Sequence, residues 1–121
     1  LDKNIGIRKN NYKYWWDRAQ KASNKYHLPE YQKGNSSFSF PIIAKDPSLT
    51  EELKKTFKKE GIEYRPIVSG NLLNQPFLSD YSMSIKKPKV EHLDSMGCYI
   101  GNSHFVGDAE LNLLEKIIKA L

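Results

Sequence analysis

An α+β domain is the fold class this sequence predicts: a small, mainly antiparallel three-stranded sheet with helices packed on one face. Two observations lead there. Long segments with apolar residues at helical spacing alternate with short strand-like runs. Pro, Gly, Asn and Ser clusters separate them, and neither repeats nor low-complexity tracts interrupt the pattern.

Residues 4–26 read as the first helix, because Tyr12, Trp15, Trp16, Ala19, Ala22 and Tyr26 fall on one face. Helical spacing favours packing for the two tryptophans over a role as a stacking platform. His27-Leu28-Pro29 ends the segment, since a residue before proline avoids the helical region. "SFSFPII" (37–43) alternates, with Phe38, Phe40 and Ile42 on one side, and reads as a strand. Pro41 has no amide donor and marks it as an edge or irregular strand. Ser48 and Glu51 form a capping-box pattern for a second helix. Leu49, Leu53 and Phe57 make its apolar stripe, Glu51 and Glu52 its acidic first turn, Lys58 and Lys59 its basic last turn, and Gly61 closes it. "IEYRPIV" (62–68) is a second strand interrupted by Pro66, residues 78–90 read as irregular, and 91–97 as a short helix. "GCYIG" (97–101) is the third strand. The last helix follows, with Leu111, Leu114, Ile117, Ile118 and Leu121 as its buried stripe.

The 121 residues suffice for one core, and 39% apolar with 27% charged residues is a globular composition. No apolar run approaches the roughly 20 residues that span a bilayer, so no membrane is expected as a partner. The chain opens at Leu1-Asp2-Lys3-Asn4 with a helical pattern already under way, and reads as cut from a longer protein. Its formal charge of +5 comes from scattered lysines without a basic-aromatic stripe, so nucleic acid is not expected either. Cys98 is the single cysteine, which precludes an internal disulfide and fits a reducing cytoplasm. Within "GCYIG" it reads as a buried small hydrophobe.

Chemistry has few places to reside. His27, His92 and His104 share no metal-ligand spacing with Cys98 or the acids. Ser69, His104 and Asp80 or Asp108 supply hydrolase residue types, but no G-x-S-x-G elbow frames Ser69. What stands out is the polar, proline-punctuated loop "RPIVSGNLLNQPF" (65–77), together with a polar turn at 101–104. A loop of that length inside a small domain is functional or disordered, and its apolar residues argue against disorder.

Both places carry a resemblance. "IRKNN" (7–11), "FSFPI" (38–42), "GIEYRP" (61–66), "GNLLNQP" (70–76) and "CYIGNSHF" (98–105) occur in that order. The set, covering nearly the whole chain, resembles the C-terminal small domain of the DegT-type nucleotide-sugar aminotransferases, pyridoxal-phosphate enzymes of fold type I. The branch it is most similar to contains the 4-keto-6-deoxy-sugar 3-dehydratases. The resemblance implies that residues 1–121 complete a larger, cytoplasmic, homodimeric enzyme, a transferase or lyase of lipopolysaccharide or other surface-polysaccharide synthesis. Its substrates would be a nucleotide sugar and an amino donor. The catalytic residue and the pyridoxal 5'-phosphate ligands would lie in a large domain outside this chain, leaving the fragment inactive and without bound cofactor. Arg65, Asn71, Asn74 and Gln75 would line the small-domain side of the cleft, where His104 would join them. Read from the residues alone, Arg65 equally suits pairing with a local acid, the amides equally suit satisfying loop backbone, and His104 equally suits capping the last helix. His104-Phe105-Val106 departs from the proline-containing turn of many relatives. A rival reading is a free-standing basic module that binds an acidic partner through the lysine face at 54–59.

Overall fold

The computed structural model describes residues 1–67, 70–81 and 87–121, with the backbone alone for 79–81. Four helices and four strands follow in the order α1 (Asp2–Ala19), β1 (Tyr26–His27), β2 (Ser39–Ala44), α2 (Pro47–Lys59), β3 (Tyr64–Pro66), α3 (Pro88–Met96), β4 (Gly97–Gly101) and α4 (Asp108–Ala120). Short 3₁₀ turns fill Gln20–Ala22, Leu72–Asn74 and Pro76–Tyr81.

The sheet is antiparallel throughout, in the order β1-β2-β4-β3. It has four strands where the sequence predicts three. The extra one, β1, is two residues long and too short to show a period. Tyr26 also falls at helical spacing from Ala22, so the sequence pattern runs straight through it. The chain in fact leaves the α-helix at Ala19 and turns at Lys25, whose N–H donates to Ala22 O at 2.9 Å.

Register decides which side chains are buried. Phe40 pairs with Ile100, Ile42 with Cys98 and Ala44 with Tyr26, and because strand side chains alternate, these share one face. That face carries the core: Tyr26, Phe40, Ile42, Ala44 and Cys98 from the sheet, met by Tyr12 and Trp15 of α1, Leu53 and Phe57 of α2, and Leu111 and Leu114 of α4. Three helices thus share one face, as predicted. α3 buries no side chain fully. It touches the sheet where the His92 ring meets His27 edge-on at 5.2 Å and His92 Nε2 lies 2.9 Å from Ala44 O.

Several local expectations are corrected. The cap of α2 is Asp46, whose carboxylate accepts from Ser48 N at 2.8 Å, with Pro47 next inside. Proline suits that first helical position, so the helix starts earlier and Glu51 and Glu52 fall beyond its first turn. The same argument moves the start of α3 back to Pro88. β3 stops at Pro66, which has no N–H to extend the ladder. Phe38 lies outside β2 and is 68% exposed, because Ser37 Oγ accepts from Ser39 N at 3.3 Å and bends the approach to the strand. The aromatic face of α1, by contrast, packs as its spacing predicts: Tyr12 and Trp15 are buried, and Trp16 packs on Tyr31 and donates its indole N–H to Pro29 O at 3.0 Å. The segment 28–31 folds back over the helix and supplies that packing.

Cys98 is buried as read, and burial pushes its thiol pKa up to about 11 from 9.0. The neutral thiol is the form the fold accepts. Its stabilising effect is therefore complete below pH 9 and is lost as pH rises towards 11, a change of roughly 2–3 kcal/mol. Urea unfolding at pH 8 and at pH 11 should show that loss, with a smaller one in Cys98→Ala. Equal pH dependence of the two proteins would refute the assignment to Cys98. Iodoacetamide should leave the native thiol unmodified at pH 8 and label it in urea.

Candidate functional site

Two polar ends of the sheet flank the positions singled out in the sequence. At one end, β4 runs into the turn 102–106. Asn102, buried at 3% exposure, donates its amide to Ser37 O at 2.8 Å and Arg8 O at 3.0 Å, while its carbonyl accepts from Asn11 Nδ2 at 3.4 Å. Asn11 in turn donates to Val106 O at 3.0 Å. The two asparagines stitch α1, the approach to β2 and the turn together. In that turn Ser103 Oγ accepts from Phe105 N at 3.2 Å, and the exposed His104 ring lies 3.9 Å from that of Phe105. His104 caps nothing: Gly107 caps α4, and Glu110 Oε2 accepts from Gly107 N at 2.9 Å.

Past the other end of the sheet lies the loop that follows β3. Gly70 takes a φ of +49°, and a Cβ there would collide with Asp94 Oδ1 of α3. Asn71 is buried at 4% exposure and its Oδ1 accepts from Leu73 N at 3.1 Å, capping the 3₁₀ turn Leu72–Asn74. Gln75 ends that turn half-buried, and Asn74 is exposed. The backbone-satisfying role weighed for the amides thus describes Asn71. Ser69 lies outside the described residues, as do Lys86 and the side chain of Asp80.

Arg65 stands between the two ends, on the edge strand β3, opposite Tyr99. Its Nε and Nη2 donate to Glu63 Oε1 at 3.1 and 2.8 Å, and this bond, then the charges of Glu63 and Tyr99, raise the guanidinium pKa. The local acid allowed for in the sequence is therefore Glu63. The pair is 66% and 77% exposed, and such surface pairs contribute little to stability. The 70–75 loop continues from the strand that carries Arg65, past the Gly97 end of the sheet. His104 follows Gly101, roughly 13 Å of strand from Gly97, against which Ile67 of the loop packs.

A groove of about 640 Å³ opens beside Arg65, between α4 and β3. Ile62, Ile100, Val106, Leu113 and Leu114 wall it, and Phe38 and Tyr99 meet edge to face at 6.3 Å on its lining. The sequence pattern missed it, because its walls combine half-buried residues at the margins of the periodic stripes with the edges of buried ones such as Leu111 and Leu114. Among the described residues no cluster of three metal-ligating side chains occurs, and no helix is long and apolar enough to cross a membrane.

An antiparallel sheet backed by helices, with a polar loop past one end and a polar turn at the other, is the class of α+β domain that the described residues define. The chain is similar in sequence to GDP-4-keto-6-deoxy-D-mannose 3-dehydratases and shares its fold with DegT-type sugar aminotransferases. The GDP-4-keto-6-deoxy-D-mannose 3-dehydratase of Escherichia coli O55:H7 is 31% identical over 125 residues, covering 98% of this chain and 32% of the relative. The solved E. coli GDP-4-keto-6-deoxy-D-mannose-3-dehydratase with bound hydrated PLP superposes with a TM-score of 0.83 at 27% identity, over 98% of this chain and 31% of that one. With the sugar aminotransferase CalS13 of Micromonospora echinospora the fold alone is shared, at a TM-score of 0.76 and 12% identity over 98% of this chain and 31% of that one. No family model matches the chain. The chain spans about a third of the length of these relatives.

Asn102→Ala should destabilise the domain by about 1–3 kcal/mol, because it removes the buried donor to Ser37 O and Arg8 O and one acceptor of the Asn11 amide. Urea unfolding measures this. A change below about 1 kcal/mol would show that the asparagine tie is dispensable.

Proposed function

We propose that this chain is the C-terminal small domain of a pyridoxal-phosphate-dependent enzyme acting on a nucleotide-linked 4-keto-6-deoxy sugar, of the 3-dehydratase branch. The observation that carries the reading is the match of 98% of the chain to a third of a GDP-4-keto-6-deoxy-D-mannose 3-dehydratase, with the motif strings in order. The parent is a homodimeric cytoplasmic enzyme of surface-polysaccharide synthesis, a lyase in this branch and a transferase in the neighbouring one.

Among the described residues, the starts of α2 and α4 are taken by Asp46 and Glu110, so neither is an open phosphate site of the helix N-terminal kind. Lys13 is engaged with Asp17, Lys54 with Glu51 and Lys119 with Glu115. On this reading the cofactor is held by the part of the parent outside this chain, and the fragment alone is inactive.

The chain's contribution is recognition. Arg65 supplies a planar donor fork for a carboxylate or phosphate, with Gln75 and His104 as its polar companions on the small-domain side of the cleft, while the buried Asn71 serves from behind by holding the 72–74 turn. The exposure of the Arg65–Glu63 pair supports this role, since the exchange of one carboxylate for a ligand anion is nearly free in water.

The full-length parent, loaded with cofactor and given GDP-4-keto-6-deoxymannose and an amino donor, should form the 3-deoxy product. A parent that binds cofactor yet leaves every nucleotide keto-sugar untouched would sink the proposal. Within that parent, Arg65→Lys keeps the charge and loses the fork. KM for the ligand it holds should rise about tenfold to a hundredfold while the melting temperature stays within about 2 °C. A lowered melting temperature with unchanged KM would make Arg65 a strut.

A further inference from the structure

Two histidines that are far apart in sequence meet beside the sheet. His27 is on β1, the edge strand opposite to β3, and His92 is on α3. Their rings lie 5.2 Å apart between centroids, with planes at 86°. Tyr26 points into the core, so its neighbour His27 points to the other face of the sheet and stays exposed. Among the described residues no hydrogen bond holds the His27 ring. His92 is fixed instead: its Nε2 lies 2.9 Å from Ala44 O. A carbonyl oxygen only accepts, so Nε2 carries the proton and, in the neutral ring, Nδ1 keeps a free lone pair.

We propose that His27 and His92 together bind one divalent transition-metal ion of the Zn²⁺, Ni²⁺ and Cu²⁺ class, each giving one ring nitrogen while water completes the coordination. Three observations carry this. Two imidazoles sharing a tetrahedral ion at about 2.1 Å from each nitrogen hold their ring centres roughly 5 Å apart, the separation seen here. The bond to Ala44 O is the support that a metal-bound histidine takes: its far N–H goes to a backbone carbonyl, and ring and tautomer are set before the ion arrives. The exposed His27 ring is unconfined on its outer side and can turn a nitrogen towards that lone pair. Imidazole nitrogens select these ions over Mg²⁺ and Ca²⁺, which take oxygen ligands. Lys45, next to Ala44, gives its ammonium to Ser23 O at 2.7 Å, so that charge already has a partner. The bound ion ties α3 to the sheet where the helix is weakly held. α3 buries no side chain fully, and its Asp94 abuts Gly70 of the loop after β3. The ion thereby steadies the seat of that loop, a role separate from the recognition assigned to Arg65.

Calorimetric titration of the 121-residue chain, which closes a core of its own, with the chlorides of Zn²⁺, Ni²⁺ and Cu²⁺ tests this. One ion should bind per chain, with Cu²⁺ held tightest, as the ordinary affinity order of nitrogen sites requires. Zn²⁺ at about a hundredfold excess over its Kd should raise the melting temperature by about 5 °C or more. His27→Gln, at an exposed position, should weaken Cu²⁺ binding about tenfold or more, at least what the loss of a supporting group costs. His92→Gln keeps an amide N–H for Ala44 O while removing the second ligand, and should weaken binding as much. His104→Gln, at the remaining histidine, should leave the affinity unchanged. Circular dichroism melting without metal shows that each variant folds. Absence of saturable binding for all three ions, or binding that survives His27→Gln in the folded variant, would overturn the proposal.

Discussion

The buried carboxamide of Asn102 sets how the rest of this domain meets. It sits where β4 ends, and its partners are backbone carbonyls of α1 and of the approach to β2, far away in sequence. A side-chain amide inside a protein has to find partners for its donors and acceptor, and only one arrangement of these three segments supplies them. Apolar contacts would tolerate α1 sliding along the sheet by a turn; the two asparagines do not. The core of Trp15 on Phe40, 5.7 Å between ring centroids, packs in the register that this polar tie fixes.

At the far side of α1 a charged cluster completes the grip. Arg18 Nε donates to Glu115 at 2.7 Å, its guanidinium lies over the Tyr14 ring, and Tyr14 OH donates to Asn112 at 2.6 Å. Lys119, then Arg18, hold the Glu115 carboxyl below its usual pKa. α1 and α4 are thus joined by a polar seam at the surface and an apolar one beneath it. The sheet margin at β3 has no such helix across it, which is why the groove opens there.

Periodicity made α2, α4 and β4 readable because each is long enough, or bounded by glycines firmly enough, to show its pattern. β1 was invisible for the opposite reason: two residues have no period, and Tyr26 is as buried at a strand edge as it would be on a helix. The asparagines were present in the motif strings, yet nothing local distinguishes a buried Asn from a turn Asn; their partners lie 65 to 95 residues away. For the site, the loop was recognisable by composition and Arg65 by its motif. The pairing of Arg65 with Glu63 was open in the sequence, and the groove arises only when marginal residues of α4, β3 and the 102–106 turn converge.

Gly70 and Asp94 have a practical consequence. The backbone at Gly70 is left-handed and its missing side chain is the space that the Asp94 carboxylate fills. Loop and helix are therefore interlocked across a stretch of chain that separates them in sequence. Any side chain introduced at Gly70 would have to displace the Asp94 carboxylate as well as hold a left-handed backbone. Variation at position 70 is therefore coupled to the residue at 94, and a change at one is best made with the other in view.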